Sequence, residues 1–414
     1  MNAWGRDRRR GRNAILVRSR LFRRDFMTPN QDVLSRNPYL VVGAGAQGFT
    51  FALELALKGE PVVLVDRSAS IGGQARSFHY GGFTFDFGLH AFVSYDAGLQ
   101  RFVRRILGGD YRRFYPRAAS RLGNGAIVED TSSWCVQELR QKLYSLVEGR
   151  DKSWNCMRIA QPPPIVYPRR GGFGGLFDRM AALFREHGGL LLLDTPVSPA
   201  DFSFSGGRLK AARIAGRRVP VRGCYWSAGS LLLKAASPAP APSGAETFVL
   251  FHFLLKGGAP LPYHWVRLYD VKHPLLPRLA YYPKRFSAFN APAGHYGVGA
   301  VVPVPAVERV PAKLRRLIGW FTEDPAAFLP LVRNFMNESG LLRREDVLET
   351  FIERMPMPPD RPAAPARHPF DGIVNFWESE RWSHDDEKES GVPLQMRAAL
   401  KALDEVRASS CISA

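Results

Sequence analysis

Residues 39–48 read Tyr-Leu-Val-Val-Gly-Ala-Gly-Ala-Gln-Gly, and residues 61–66 read Pro-Val-Val-Leu-Val-Asp. The opening Tyr39–Val42 is a short apolar run, suited to a strand buried on both faces of a parallel sheet. Gly43, Gly45 and Gly48 follow in the spacing G-x-G-x-x-G. In such a turn the first glycine bends the chain, the second lets a pyrophosphate approach the backbone, and the third lets helix and strand pack closely. From Phe49 to Lys58 the pattern is helical, and Gly59 stands where a helix C-cap belongs. Pro61–Val65 is a second buried strand ending at Asp66, an acid placed to accept ribose hydroxyls. Strand, glycine turn, helix, strand and acid within about 30 residues describe a dinucleotide-binding βαβ unit. Ala44, Ala46 and Gln47 fill its turn.

That unit alone does not choose between dinucleotides. The next residues do: Asp66 and Arg67 are followed by Gly72-Gly73-Gln74-Ala75-Arg76-Ser77. An acid, five residues, a Gly-Gly pair and then polar residues resembles the flavoprotein group of amine oxidases, protoporphyrinogen oxidases, phytoene desaturases and UDP-galactopyranose mutases. Three further stretches extend the resemblance over residues 38–300. Residues 83–90, Phe-Thr-Phe-Asp-Phe-Gly-Leu-His, match a motif of that group ending at Gly88 and His90. Residues 167–176, Tyr-Pro-Arg-Arg-Gly-Gly-Phe-Gly-Gly-Leu, resemble its glycine turn before a helix. The strand leading to Thr195-Pro196-Val197 resembles the segment whose valine meets the adenine. The resemblance implies FAD as cofactor, bound by Gly43 to Gly48, Asp66, Arg67, Gly72 to Arg76, Gly88, His90 and Val197. It also implies a place for His90 near the flavin ring, making it the candidate catalytic residue.

The implied fold class is α/β, a Rossmann-type FAD-binding domain with an interleaved α+β substrate domain. The 414 residues exceed what one core of ~150 residues usually needs. We expect FAD-binding segments at 38–110 and 165–235 and substrate-domain segments at 111–164 and 247–350. Residues 351–414 are expected to return to the FAD domain in divergent form. The Pro- and Ala-rich stretch 236–246 reads as a linker and 356–365 as a second hinge. Residues 311–354 read as helical.

At 45% hydrophobic and 23% charged residues, the composition is that of a globular protein. The net charge is +19, and residues 1–36 hold ten arginines against three aspartates. This arm reads as a nucleic-acid or membrane-surface segment, an organelle transit peptide, or an extension upstream of a start at Met27. No nucleic-acid module follows it, so charge alone does not argue for a nucleic-acid partner. Cys135, Cys156, Cys224 and Cys411 show neither a C-x-x-C pair nor metal-finger spacing. No run of ~18 apolar residues suggests a membrane-spanning helix. The expectation is a cytoplasmic protein with reduced thiols, no metal, and a small-molecule substrate.

A second G-x-G-x-x-G for a separate nicotinamide domain is absent from the sequence, so electrons would come from the substrate itself. The first expectation is an FAD-dependent oxidoreductase taking a hydride from a small or amphipathic organic substrate. Tyr263, Trp265, Arg267, Tyr281, Tyr282 and Arg285 lie in stretches resembling mutase-like members, where arginines clamp a diphosphate. A flavin-dependent isomerase of a nucleotide sugar is therefore the alternative. A third reading, a degenerate non-catalytic flavoprotein, follows from residues 366–414, which hold only Gly372 and Gly391 where the group has a closing glycine turn. His252, among apolar neighbours, reads as a core or pocket-lining histidine, and Asp385-Asp386-Glu387 as a solvated run.

Overall fold

The computed structural model describes residues 31–94, 96–122, 124–130, 164–227, 247–268, 273–304, 312–356, 373–375 and 392–411. The expected linker 236–246, nearly all of the arm 1–36 and of the hinge 356–365, Cys135, Cys156 and Asp385–Glu387 lie outside these residues.

The chain opens with β1 (Tyr39–Val42), α1 (Ala46–Leu57) and β2 (Val62–Val65). A hairpin follows, β3 (Ser77–Tyr80) and β4 (Phe83–Asp86), then α2 (Ala97–Leu107), β5 (Tyr111–Phe114), β6 (Ala118–Arg121) and β7 (Ile127–Glu129). Next come β8 (Ile165–Pro168), α3 (Gly175–Glu186), β9 (Leu190–Leu192), and the strands β10 (Phe202–Ser205), β11 (Arg208–Ile214), β12 (Arg217–Pro220) and β13 (Gly223–Trp226). Beyond residue 246 lie β14 (Thr247–Lys256), β15 (Trp265–Arg267), β16 (Leu279–Tyr281), α4 (Pro283–Phe286) and β17 (His295–Val304). The last elements are α5 (Ala312–Glu323), α6 (Leu329–Glu338), β18 (Val347–Pro356), β19 (Ile373–Asn375) and α7 (Val392–Cys411).

A five-stranded parallel sheet runs β19-β13-β1-β2-β9. Its central strands are apolar at every position because both faces are covered. Leu40, Val42, Val63 and Val65 face the three-stranded meander β10-β11-β12 and Trp226, whereas Val41 and Leu64 share a core with α1. Helix α1 is in turn packed against α3 and α7. Phe184 of α3 lies edge-on to Phe49, and Met396, Ala399 and Leu403 of α7 join the same core. Phe51 stacks on Tyr225 with centroids 3.9 Å apart.

The second large sheet has seven strands in the order β18-β14-β17-β16-β15-β6-β7. The ten residues of β14 alternate between two burial partners, as strand geometry requires. Val249, Phe251, Phe253 and Leu255 meet Ile318 and Phe321 of α5 and Val332 and Met336 of α6. Leu250 faces the other way, joining the core that holds Phe87, Tyr281 and Met355, and Leu254 packs with Phe83 and Phe85 of the hairpin. This second face, turned toward the β3-β4 hairpin, sets one wall of the candidate site. β5 pairs antiparallel with β8, so the segments expected for the two domains share a ribbon.

Helix does not extend through 311–354. It stops at Glu338, and Val347–Pro356 forms a strand paired along β14. The Leu- and Glu-containing stretch has helix-compatible composition, but propensity amounts to tenths of a kcal/mol per residue. A ladder of hydrogen bonds and the burial of Met355 outweigh it here.

Candidate functional site

The site begins where β1 ends. Gly43 has φ +107°, a conformation that side chains resist, and its N–H donates to the Val65 carbonyl at 2.8 Å. A Cβ on Gly48 would sit 1.9 Å from the Gly43 carbonyl oxygen and 2.4 Å from Ser227 Oγ. Helix and turn therefore touch through backbone. A Cβ on Gly45, by contrast, would meet nothing within 4 Å. Gly45 is also the N-cap of α1 and supplies no side-chain acceptor, so the first-turn N–H groups are left for an anion.

Gly72 and Gly73 come to this turn from the other side. Both have positive φ, +88° and +56°, and Gly72 N–H donates to the Ala44 carbonyl at 2.8 Å. Gly45 and Gly72 form a parallel β-bridge, and a Cβ on Gly73 would stand 3.2 Å from Gly45 Cα. The Asp66 carboxylate accepts from Ala44 N at 2.6 Å and from Ser68 N at 2.7 Å. Two backbone donors orient both oxygens, while their remaining lone pairs stay available to hydroxyl donors. Thr195 N–H donates to the Asp66 carbonyl at 2.8 Å, which draws the Val197 segment alongside the end of β2. Val197 itself is half-buried against the core under the meander. Arg67 and Gln74 are exposed.

Arg76 Nη1 donates to the Gly73 carbonyl at 2.9 Å, and its guanidinium lies 4.0 Å from the centroid of the Phe87 ring. Burial lowers its pKa while Glu353 and Asp66 favour the charged form. Gly88, at φ +101°, places its missing Cβ 3.7 Å from Met355 Cε, so the seven-stranded sheet meets this turn. His90 Nε2 donates to the Phe87 carbonyl at 3.0 Å. Burial pushes its pKa down, and the Asp86 charge works against that shift.

One buried polar cluster was not legible as such in the sequence. Asp86, in the hairpin between Phe85 and Phe87, is buried and accepts from Ser77 Oγ, Tyr167 OH and Phe173 N at 2.7, 2.7 and 2.8 Å. Burial raises its pKa and the three donors oppose the rise. The Tyr281 hydroxyl donates to the Asp86 carbonyl at 2.8 Å and lies 3.3 Å from His252 Nε2. His252 stacks on Phe85 with centroids 4.5 Å apart, and burial depresses its pKa to about 3. This network ties the hairpin, the Gly171–Gly175 turn and the seven-stranded sheet together. A carboxylate flanked by phenylalanines was the signal: buried so, it must collect donors. Of the aromatics singled out in sequence, Tyr281 joins this cluster, whereas Tyr282 points to the α5–α6 side and donates to the Leu341 carbonyl. Arg267 lies 3.7 Å from Asp130, well separated in role from Arg285, which donates to the Leu261 carbonyl.

Residues 41–106 match the family model of the NAD(P)-binding Rossmann-like domain. Among solved structures, the chain is similar to a reduced UDP-galactopyranose mutase at 14% identity and a TM-score of 0.60, over 90% of this chain and 96% of that one. A protoporphyrinogen oxidase homologue from Exiguobacterium sp. 255-15 aligns at 12% identity and TM-score 0.60, over 90% and 99% of the two chains. Putrescine oxidase bound to putrescine aligns at 11% identity and TM-score 0.55, over 90% and 99%. The chain shares the fold of these three structures. No curated protein sequence matches it. Within this fold the glycine turn, Asp66 and the Gly72–Gly73 loop sit on the sheet that the family model covers in part. Among the described residues, no helix is long and apolar enough to cross a membrane.

Proposed function

We propose that the chain binds FAD at the joined glycine loops and is an FAD-dependent oxidoreductase acting on a small or amphipathic organic substrate. The carrying observation is the pairing of Gly45 with Gly72 beside open space and an uncapped helix N-terminus. Gly45 to Gln47, Gly73 and Gln74 would hold the pyrophosphate through backbone N–H groups, supported by the dipole of α1, while the N–H groups of Ala44, Gly72 and Ala75 fix the two loops by donating to Asp66, Ala44 and Gly72. Asp66 would take ribose hydroxyls, with Arg67 at its rim and Val197 beside the adenine. Arg76, Gly88 and His90 would line the path toward the ring system. When bound, oxidised FAD would accept a hydride from a substrate C–H as the adjacent N–H or C–H loses a proton, leaving a C=N or C=C bond, and the electrons would pass on to oxygen or another acceptor.

His90 is the proposed catalytic residue. Its Nε2–H is held by the Phe87 carbonyl, and burial keeps the imidazole in its neutral form near neutral pH. The substrate is proposed to bind beside the junction of Gly88 and Met355, where the seven-stranded sheet meets the hairpin. Tyr281 and Asp86 keep the sheet and the hairpin in register there.

The test is to mix purified protein with FAD. The expected result is retained flavin absorbing near ~450 nm and a cofactor-dependent rise in melting temperature. Absence of both signals would overturn the proposal. Anaerobic mixing with amines and other reduced organic substrates should then bleach the flavin. Turnover of a nucleotide sugar only after chemical reduction would favour the isomerase reading instead.

A further inference from the structure

Some basic side chains among the described residues pair with carboxylates: Arg117 with Glu129, Arg222 with Glu60 and Arg267 with Asp130. The group around α4 does not. Arg112, Arg169, Arg170 and Arg285 gather around α4 and the turn at residues 288–290, and none meets a carboxylate among the described residues. Arg112 Nη1 donates to the carbonyls of Arg285 and Phe286 at 3.2 and 2.8 Å. Arg169 Nε donates to the Tyr111 carbonyl, and Arg285 Nη2 to that of Leu261. Lys284 Nζ, beside them, likewise contacts only carbonyls, those of Pro292 and His295. Asp110 is the acid nearest in the chain, but it contributes its carbonyl to Arg169 N and no ion pair. Carbonyls satisfy hydrogen-bond donors without cancelling charge, so the face keeps an uncompensated positive field.

An exposed phenylalanine stands beside Arg170. Phe289 is 57% exposed, and the neighbouring structure holds it out. Ser287 Oγ donates to the Arg169 carbonyl and accepts from Phe289 N. Asn290, buried, donates to Tyr167 OH and the Pro283 carbonyl at 3.1 Å each. Both neighbours of Phe289 are thereby anchored inward, and the ring projects outward. The Arg170 guanidinium sits over it, 4.9 Å from the centroid.

We propose that this face docks the protein on an anionic phospholipid membrane. The arginines face lipid phosphates, and Phe289 enters the boundary between headgroups and acyl chains. Charge complementarity selects an anionic surface, and a rigidly presented apolar tip among cations matches the interfacial binding of peripheral proteins. A single-stranded nucleic acid fits less well, because base stacking needs an open aromatic face and Arg170 occupies one face of Phe289. Docking does not rest on the FAD proposal, since none of these residues lies at the glycine loops.

The full chain is tested by co-sedimentation with vesicles of phosphatidylcholine alone and of phosphatidylcholine with phosphatidylserine. Binding is expected only to the phosphatidylserine vesicles and is expected to fall in high salt. Arg170→Glu with Phe289→Ser should weaken it at least ~10-fold, with melting temperature and flavin binding unchanged. Phe289→Trp should bind as well as the parent chain or better. Vesicle binding that survives the double substitution would assign the attraction to the arginine-rich residues 1–36 and overturn the proposal. So would equal binding to both vesicle types, or binding of a single-stranded oligonucleotide that the double substitution abolishes.

Discussion

Gly45 and Gly72 are bridged backbone to backbone, 27 positions apart in the chain, with the Gly72 N–H on the Ala44 carbonyl at 2.8 Å. The contact joins the turn after β1 to the loop after β2, and beside it a Cβ on Gly73 would stand 3.2 Å from Gly45 Cα. The glycines here are of two kinds: Gly48, where a Cβ would collide with backbone, and Gly45, where it would enter open space.

Gly48→Ala and Gly45→Ala should therefore fail in different ways. The first puts a methyl 1.9 Å from a backbone oxygen, and should cost about 2–3 kcal/mol of stability or more. The second points into open space, and should keep the cofactor-free protein within about 1 kcal/mol of the parent while losing flavin. Denaturant unfolding and flavin content, measured on both, check this contrast.

Asp66→Asn should weaken FAD binding by roughly 10- to 100-fold, the equivalent of one charge-assisted hydrogen bond. Ala44 N and Ser68 N retain one amide oxygen between them, so thermal stability without cofactor should fall less than affinity does. Flavin titration by fluorescence quenching reads the change.

Asp86→Ala leaves Ser77 Oγ, Tyr167 OH and Phe173 N without their acceptor in a buried place. A loss of about 3 kcal/mol or more is expected in denaturant unfolding. Tyr167→Phe removes one donor and should cost clearly less.

His90→Gln should leave flavin content intact and lower kcat by roughly 10²- to 10⁴-fold if the ring acts in proton transfer. Unchanged kcat alongside diminished flavin content would restrict His90 to holding the turn at Gly88.

Acid should destabilise the fold through His264 and His252. His264 Nδ1 accepts from Arg117 N at 3.0 Å, and burial, aided by Arg112, Arg285 and Arg117, depresses its pKa to about 4. The unfolded imidazole titrates near 6.5. Its stabilising contribution is thus complete above pH 6.5 and declines as pH falls from 6.5 to about 4, by at most about 3 kcal/mol. Melting curves across that window should be flatter for His264→Gln than for the parent chain.

The βαβ unit was legible because its parts lie within one short stretch and each answers to a local requirement. Strands buried on both faces must be apolar, positive φ selects glycine, and an acid at a strand end is visible in order. The glycine turn at residues 171–175, with α3 directly behind it, was legible in the same way. The strand at 347–356 was not, since its partner is β14, nearly 100 positions earlier. Its residues tolerate a helix until that partner is present.

The Asp86 network had the same kind of obscurity. Its donors come from residues 77, 167 and 173, with Tyr281 and His252 behind them, and no local spacing brings these together. By itself the sequence determined the glycine turns, the acid and the two buried strands, because backbone conformation and two-sided burial are written residue by residue. Only the tertiary structure decided that Gly45 looks into open space, that Asp86 is satisfied, and that four arginines and Phe289 share one face. Those properties depend on what distant segments place next to a residue, and the energy of a buried charge or an unpaired cation is set by those neighbours.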